Sequence, residues 1–569
     1  MSVEMSLAAV LDAVAGAAPD RDMVVWTSGA SGTTTRRTYG EVVDRTRGLA
    51  AFLGAHGLGL RRERAELERW ECGQDTVAVL LHNRPEYLET MLGAYRARAV
   101  PFNVNQHYKA GEIRGVLDML DAAAVVYQRA LAPLLAEALA DPAGRRAPLL
   151  IDVDDGSGTP PLPGSTAFED AVATPADADA GAATLPVPSP DDLYVVCTGG
   201  TTGTPKAVLW RQADVFVAGM GGSPDATPAS IAAAAATGRG GAWFAAPPLM
   251  HGAAQWTAFG GLHLGATIVL HDDTRPFDAA TILATAARER VGLMSIVGDA
   301  YAAPIVEELR RGDHDLGALH TLATGGAATN DVHKEALLDL LPHVTIVDGY
   351  GASETGGMAF GARTRTTKPV GFTPVAGGRV LSADRTRFLT PGEDGGDDGE
   401  VGWTARTGRV PLGYLGDRAK TEDTFPIIDG LRISVPGDRA RLAPDGSIVM
   451  LGRDSMVVNT GGEKVFVEEV EAVLRQHDDI VDALVVGRPS DRFGQEVVAL
   501  VQLRAGAEAL GPAEIRELVA TSLARFKAPR AVAICDRVHR HANGKADYAW
   551  ARTAALDAPS AAGASTPAG

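Results

Sequence analysis

Only three cysteines, Cys72, Cys197 and Cys535, occur in 569 residues. They lie too far apart for a CxxC metal or redox motif and are too few to staple a secreted chain, so a reducing compartment fits. Long apolar runs are missing as well. Nowhere do the roughly eighteen consecutive apolar residues of a membrane span occur, and MSVEMSLAAV at the start has no basic stretch ahead of its short apolar segment. The expectation is a soluble cytoplasmic protein with no integral membrane segment. Positive charge is in deficit: 53 Lys and Arg against 71 Asp and Glu leave a formal net charge of −18. That field repels polyanions, which disfavours nucleic acid as a partner and makes any phosphate site local. No internal repeat is visible.

What is present is globular in composition, 46% hydrophobic and 22% charged, with 65 Gly and 33 Pro for turns. The length exceeds what one core organises and points to about two to four domains, excluding a small binding module and wholesale disorder. Short apolar runs read as strands: TVAVLL at 76–81, AWFAAPP at 242–248, TIVLH at 267–271, LMSIVG at 293–298, TLATGG at 321–326 and VTIVDGYG at 344–351. Helically spaced segments separate several of them, beginning with PEYLETMLGAYRARA at 85–99. Strands alternating with helices predict parallel sheets and an α/β architecture. Residues 152–190 are rich in Asp, Gly, Ser and Pro and read as a surface excursion, and PGEDGGDDGE at 391–400 reads as an exposed turn. Residues 61–73, RRERAELERWECG, have a charged, helical composition and read as a surface element. After Gly452 the pattern changes to helix, two strands and helix (467–477, 482–487, 497–503 and 512–526), a separate α+β unit of roughly a hundred residues. The tail after Arg552 reads as disordered.

Four stretches carry chemistry. In YVVCTGGTTGTPKAVLW (194–210) a strand runs into Gly199, Gly200 and Gly203, whose amides can approach a phosphate closely. Thr198, Thr201, Thr202 and Thr204 add hydroxyls and Lys206 a charge, but the spacing is not GxxxxGK[ST], which disfavours a Walker-type NTPase. In DGYGASETG (348–356) Glu354 sits in a Gly-rich loop after a strand, where open α/β sheets place ligands; one carboxylate there suits Mg2+, and Tyr350 offers a flat face to a purine. Asp438, ending VPGD, can accept both hydroxyls of a ribose, and Arg453 supplies a fork of donors; a turn cap and a surface ion pair are the plainer alternatives. In HANGKADYAWAR (541–552) Lys545 follows Asn-Gly on a turn and can reach out as a point charge toward oxyanions.

In this order and spacing the four stretches resemble the adenylate-forming enzymes: acyl-CoA synthetases, nonribosomal adenylation domains and firefly-type luciferases. The resemblance covers roughly residues 20 to 552. TGGTTGTPKAVLW, GYLGDRAKTEDTF, NTGGEKVFVEEVE and GKADYAWAR are similar, more closely, to the fatty-acid and sterol-side-chain acyl-CoA ligases of actinobacterial type. The resemblance implies a large N-terminal domain of stacked α/β subdomains (1–452), a hinge (453–455), a small mobile C-terminal α+β domain (456–552) and a tail (553–569). It implies that the loop from Thr198 to Lys206 holds ATP phosphates, and that Gly325, Gly326, Ala327, Asp348, Gly349 and Tyr350 line the adenine pocket. Ser353 would sit near the α-phosphate, Glu354 with Thr198 would hold Mg2+, Asp438 and Arg453 would bind ribose, and Lys545 would bridge the carboxylate and the α-phosphate. After a domain rotation Gly461, Gly462 and Lys464 would meet CoA. His251, Gly252, Trp256 and Gly351 would border the acyl channel, with His251 as a gate. Amino-acid-activating members carry an acid after the aromatic where this chain has Gly252 after His251, so the implied substrate is an acid with an apolar body, a medium- or long-chain fatty acid or a steroid side-chain acid. The hinge position usually holds Asp or Lys; here it is Ser455, with Asp454 beside it. The implied reaction is ATP-dependent acyl-AMP formation followed by transfer to CoA. Alternatives are an acyl-AMP ligase that loads a carrier protein, a catalytically silent nucleotide-binding protein and, more remotely, a luciferase-type oxygenase. Association as a homodimer stays open.

Overall fold

The computed structural model describes residues 4–140, 146–176, 185–198, 205–392, 399–460, 463–490, 493–507, 510–541 and 544–559. Five of the six apolar runs that read as strands pair into one nine-stranded sheet. Six central strands, Thr345–Ala352, Thr321–Gly325, Leu293–Ile296, Ala242–Ala245, Thr267–His271 and Asp22–Thr27, are parallel neighbours in that order, and antiparallel strands close both edges. A second sheet of five parallel strands is built around Thr76–Leu80. Between the two lie helices Leu7–Ala17, Tyr39–Ala55, Pro85–Arg96 and Gly252–His263, whose apolar residues form the largest core with Val77, Val79, Ile268 and Leu270 from the facing strands. Helices on sheet faces are what parallel strands require, because both faces must be covered. Three smaller antiparallel sheets complete the N-terminal part: Leu193–Thr198 with Lys206–Arg211 and Gly413–Tyr414, a four-stranded one ending in Asp438–Leu442 and Ile448–Arg453, and the pair Ile427–Ile428 with Leu431–Arg432.

After a short turn at Asp454–Met456 a separate five-stranded sheet begins at Val457. Its strands Ile480–Ser490 and Gly494–Leu503 form a long hairpin, packed by helices Val467–Leu474 and Pro512–Ser522 on one face and Tyr548–Leu556 on the other. The architecture is α/β, with a large N-terminal domain and a small C-terminal α+β domain.

Three expectations need correction. Residues 61–73 are the largely exposed surface element expected, but their helical composition gives no helix beyond the single turn Arg64–Glu66. Arg64 donates to the carbonyls of Glu68 and Glu71, and the Arg61 and Arg62 amides donate to Gly73 at 2.8 and 2.9 Å, so local bonds close a loop in competition with the helix. The excursion at 152–190 contains a strand, Thr166–Ala167, and a helix, Phe168–Val172, whose Phe168, Ala171 and Val172 are buried against helix Tyr39–Ala55; Gly48 is required there, because a Cβ would overlap the Val172 carbonyl. The last helix runs past Arg552 to Leu556, Ala555 and Ala558 are buried, and Arg488 donates to their carbonyls at 2.9 and 2.6 Å. The packed C-terminal helix therefore extends past Arg552.

Candidate active site

The site forms at the carboxyl ends of the nine-stranded sheet, where parallel strands leave their loops. Gly325 ends one strand directly opposite Gly349 on the next, and a Cβ at Gly325 would stand 3.0 Å from the Gly349 carbonyl. Gly326 follows with φ +76°, a conformation that favours glycine, and leads into Ala327. The strand Thr345–Ala352 runs through the expected Gly-rich loop, shortening it to Ser353–Thr355, because Gly356–Arg363 pairs back along it. Gly351 has no room for a side chain: a Cβ would overlap the Gly356 carbonyl. Asp348 is ion-paired with Lys334. Tyr350 donates its hydroxyl to Asp438 at 2.5 Å, with Thr404 Oγ1 at 3.1 Å, and its ring lies tilted against Phe372, centroids 6.3 Å apart.

Asp438 and Arg453 face each other across antiparallel strands, 3.2 Å apart. The carboxylate is buried and the guanidinium half-exposed, so the pair meets solvent through the arginine. Glu354 accepts the Tyr414 hydroxyl at 2.8 Å, and its carbonyl accepts Ser434 Oγ at 2.6 Å; the neighbouring Ser353 carbonyl accepts Trp210 Nε1 at 2.9 Å. Tyr414 is thus the link to the hairpin that carries the expected phosphate loop: its strand pairs with Lys206–Arg211, and the Lys206 ammonium lies 5.3 Å from its ring centre. Thr198 stands opposite Lys206 at the ends of that hairpin. Gly199, Gly200, Thr201, Thr202, Gly203 and Thr204 lie outside the described residues, as do Gly461 and Gly462. Lys464 pairs with Asn459 in a hairpin of the C-terminal sheet.

His251 caps the helix Gly252–His263. Its Nε2 is buried with no hydrogen-bond partner among the described residues. Burial and then the Lys545 ammonium pull its pKa down to about 4, so the ring is neutral at physiological pH. A Cβ at Gly252 would meet Val196 at 3.3 Å and Trp256 at 3.7 Å, and Trp256 packs on Gly219 against the main core.

Lys545 comes from the other domain. Its turn is closed by the Gly544 amide donating to His541 at 2.9 Å; Gly544, at φ +76°, is pressed so close to the helix Gly298–Arg311 that a Cβ would stand 2.9 Å from that of Ala300. The lysine keeps solvent contact along the crevice, yet surrounding protein lowers its pKa; Arg453 adds to the effect and Glu354 opposes it. Lys545 therefore acts electrostatically with Glu354, Arg453 and His251, each at least 92 positions away in the chain. Asp454, beside the expected hinge residue Ser455, pairs with Arg439 at 3.3 Å.

Residue-type reasoning missed the brackets around this site. Asn103 donates to the carbonyls of Cys197 (3.1 Å) and Met250 (2.7 Å), and Asn83 accepts the Leu249 amide at 2.6 Å, fixing the phosphate-loop strand against the 247–251 turn. Asn103 ends an apolar strand and Asn83 follows one by three residues, which was the available signal. Among the described residues no cluster of three or more His, Cys, Asp or Glu is arranged to hold a metal ion. The donor set fits a hard cation that keeps its waters and substrate phosphates and takes one carboxylate, Glu354.

The sequence profile of AMP-binding enzymes matches residues 11–401, and that of the AMP-binding enzyme C-terminal domain matches 469–545. The chain belongs to the AMP-binding enzyme family. Among curated AMP-binding relatives it is 42% identical over 557 residues to the medium-chain acyl-CoA ligase Mig of Mycobacterium avium, spanning 96% of this chain and 98% of that one. It is 36% identical over 565 residues to the medium/long-chain-fatty-acid and 3-oxocholest-4-en-26-oate CoA ligase of Mycobacterium tuberculosis, spanning 97% and 96%. Solved structures share the fold: the anthranilate CoA ligase AuaEII with anthranoyl-AMP (TM-score 0.77, 19% identity, 98% of each chain) and ATP-bound MatB from Rhodopseudomonas palustris (TM-score 0.76, 22% identity, 97% of this chain and 99% of that one). No helix among the described residues is long and apolar enough to cross a membrane.

Proposed function

We propose that this AMP-binding enzyme is an acid–thiol ligase that joins an apolar carboxylic acid to CoA through an acyl-AMP intermediate. The observation that carries the reading is the meeting of Lys545 with Glu354 and Arg453 beside a neutral His251. A carboxylate oxygen of the acid attacks the α-phosphorus of ATP; the acyl–phosphate bond forms as the bond to the β-phosphate breaks, and pyrophosphate leaves. Lys545 would span the incoming carboxylate and the α-phosphate, where its charge offsets the negative charge gathering in the transition state. Asp438 would accept the ribose hydroxyls from its seat against Tyr350 and Arg453, and the glycines at 325, 326 and 349 would let adenine approach the sheet edge. Mg2+ held by Glu354 and Thr198 would neutralise phosphate charge when bound. In the second step the CoA thiolate attacks the acyl carbon and AMP departs; no protein nucleophile is needed. Lys545 must then withdraw, and the strand hairpin carrying Lys464 would face the pantetheine arm.

The absence of an acid after His251, where Gly252 packs on Val196, supports a substrate without an α-amine. The relatives' names support a medium- or long-chain fatty acid or a steroid side-chain acid. Three unpaired cysteines support a cytosolic setting. The test is pyrophosphate release with ATP and Mg2+ across short, medium, long, aromatic and steroid acids, with and without CoA, with products identified by mass spectrometry. An acyl-CoA product is expected; acyl-AMP that persists in the presence of CoA, or silence with every acid, refutes the reading.

A further inference from the structure

One partly buried acid at the domain junction has no part in the chemistry above. Helix Val467–Leu474 belongs to the C-terminal core through Val467, Val470 and Leu474. Its second residue, Glu468, leaves that core and reaches the strand Ile448–Arg453 of the N-terminal domain. The carboxylate lies directly over Gly452, where any Cβ would overlap it, and Gly452 itself has φ +107°. The carboxylate also accepts the backbone amide of Arg453, the residue paired with Asp438. A C-terminal side chain thus grips the backbone of the strand that carries the expected ribose pair, in the same arrangement that brings Lys545 to Glu354.

We propose that Glu468 is a positioning residue that docks the C-terminal domain for adenylate formation and lets it go on losing its proton. The proposal rests on the ligase reading for its two half-reactions. The charged and titratable groups facing Glu468 are Arg453 and Asp438 from the N-terminal strands, Glu471 from its own helix and Tyr548 from the last helix. Burial, then repulsion from Glu471 and Asp438, raises its pKa from 4.5 to about 8 against the opposing pull of Arg453. Once undocked, the carboxyl would return to water and its ordinary value. A pKa raised in the docked form means that docking takes up a proton. Docking is therefore strongest below the ordinary value and weakens as pH rises through the docked one, by tens of fold between about pH 6 and pH 8. Acid favours Lys545 in the site, and alkali favours its withdrawal.

The test compares the full-length protein with Glu468→Gln, which keeps an acceptor but cannot ionise. With the best acid found, adenylate formation is followed by ATP–pyrophosphate exchange, and thioester formation from supplied acyl-AMP and CoA, at intervals from about pH 6 to 9. Titration of Lys545 and of the CoA thiol is common to both proteins. The ratio of the two rates should fall by tens of fold more across this range in the wild type than in the Gln variant. Hydrogen exchange of the Arg453 amide, corrected for intrinsic rate, should lose protection over the same range only in the wild type, and this readout requires no turnover. Gly452→Ala should depress adenylate formation at every pH while sparing the thioester step, whose survival shows that the fold is intact. Superimposable pH profiles for wild type and Gln variant, or unchanged Arg453 protection, overturn the proposal. Silence with every acid overturns the ligase reading and leaves the exchange measurement to judge Glu468 alone.

Discussion

Asp438→Asn separates the seat of the ribose from the stability of the sheet that holds it. In the folded protein one carboxylate oxygen accepts the Tyr350 hydroxyl at 2.5 Å and the other faces Arg453 Nε at 3.2 Å, which leaves about two lone-pair directions for a diol. Asparagine has the same shape but one acceptor oxygen and no charge. That oxygen should turn to Arg453, because an amide NH2 against a guanidinium is a donor–donor clash. The NH2 then meets Tyr350, whose hydroxyl can accept it and donate instead to Thr404, already 3.1 Å away. Arg453 is 46% exposed and can be solvated, so the fold should lose little and the melting midpoint should move by only a few degrees. ATP loses a charge-assisted acceptor worth about 1.5–3 kcal/mol, which is about 10- to 150-fold in affinity. Calorimetric titration of ATP into the full-length protein measures this without turnover, and steady-state pyrophosphate release should show the loss in KM for ATP before kcat. ATP affinity within about threefold of wild type, in a variant with an unchanged melting midpoint, would refute the ribose assignment. Arg453→Met should weaken ATP in the same direction, through loss of the partner that orients Asp438.

What the sequence made legible were the features that repeat locally. Apolar runs such as Thr267–His271 and Ala242–Ala245 are strands because β-branched and aromatic residues fill a pleat largely buried on both faces, and the nine-stranded sheet follows from their alternation with helices. Glu354 was visible as an acid among glycines, but its partner Tyr414 is 60 residues away, and only the pairing of Gly413–Tyr414 with the phosphate-loop hairpin brings them together. The clamp of Glu468 on Gly452 was equally hidden, since neither an acid at the start of a helix nor a glycine ending a strand is unusual by itself. The helical reading of residues 61–73 failed for a local reason: arginine side chains found carbonyls in a loop that Gly73 closes. The tail failed for a tertiary one, since alanines with little to bury alone are buried by the hairpin at Arg488 and Glu496. Composition reports average burial; contacts decide individual residues.

Lys545→Ala should abolish adenylate formation while sparing thioester formation from supplied acyl-AMP; equal loss of both would contradict a lysine that acts in only one arrangement. Because burial lowers the ammonium pKa below its ordinary value, adenylate formation should decline on the alkaline side at a lower pH than a solvated lysine would give, and Lys545→Arg should move that limb upward in a pyrophosphate-exchange profile. Glu354→Ala should raise the Mg2+ concentration required for half-maximal turnover, and an unchanged metal titration would put the ion elsewhere. The last prediction concerns the junction beside the hinge. Trp403 is sandwiched between two guanidinium groups, Arg385 at 3.9 Å and Arg439 at 4.1 Å, and Arg439, 7% exposed, finds no hydrogen-bond partner for Nε and Nη1 among the described residues while Asp454 lies 3.3 Å away. Burial and Arg385 both disfavour the charge on Arg439, and Asp454 favours it. Asp454→Ala leaves a buried cation with less compensation and should lower the denaturation midpoint, by an amount near 1 kcal/mol because the carboxylate is itself 43% exposed. Arg439→Met keeps the packing on Trp403, removes the charge together with its repulsion from Arg385, and should leave the midpoint unchanged or raise it. Adding Asp454→Ala to Arg439→Met should then cost nothing further, since the carboxylate has lost its cation. If Arg439→Met destabilises as much as Asp454→Ala, the stacked arginine is a net stabilising contact and the desolvation argument is wrong.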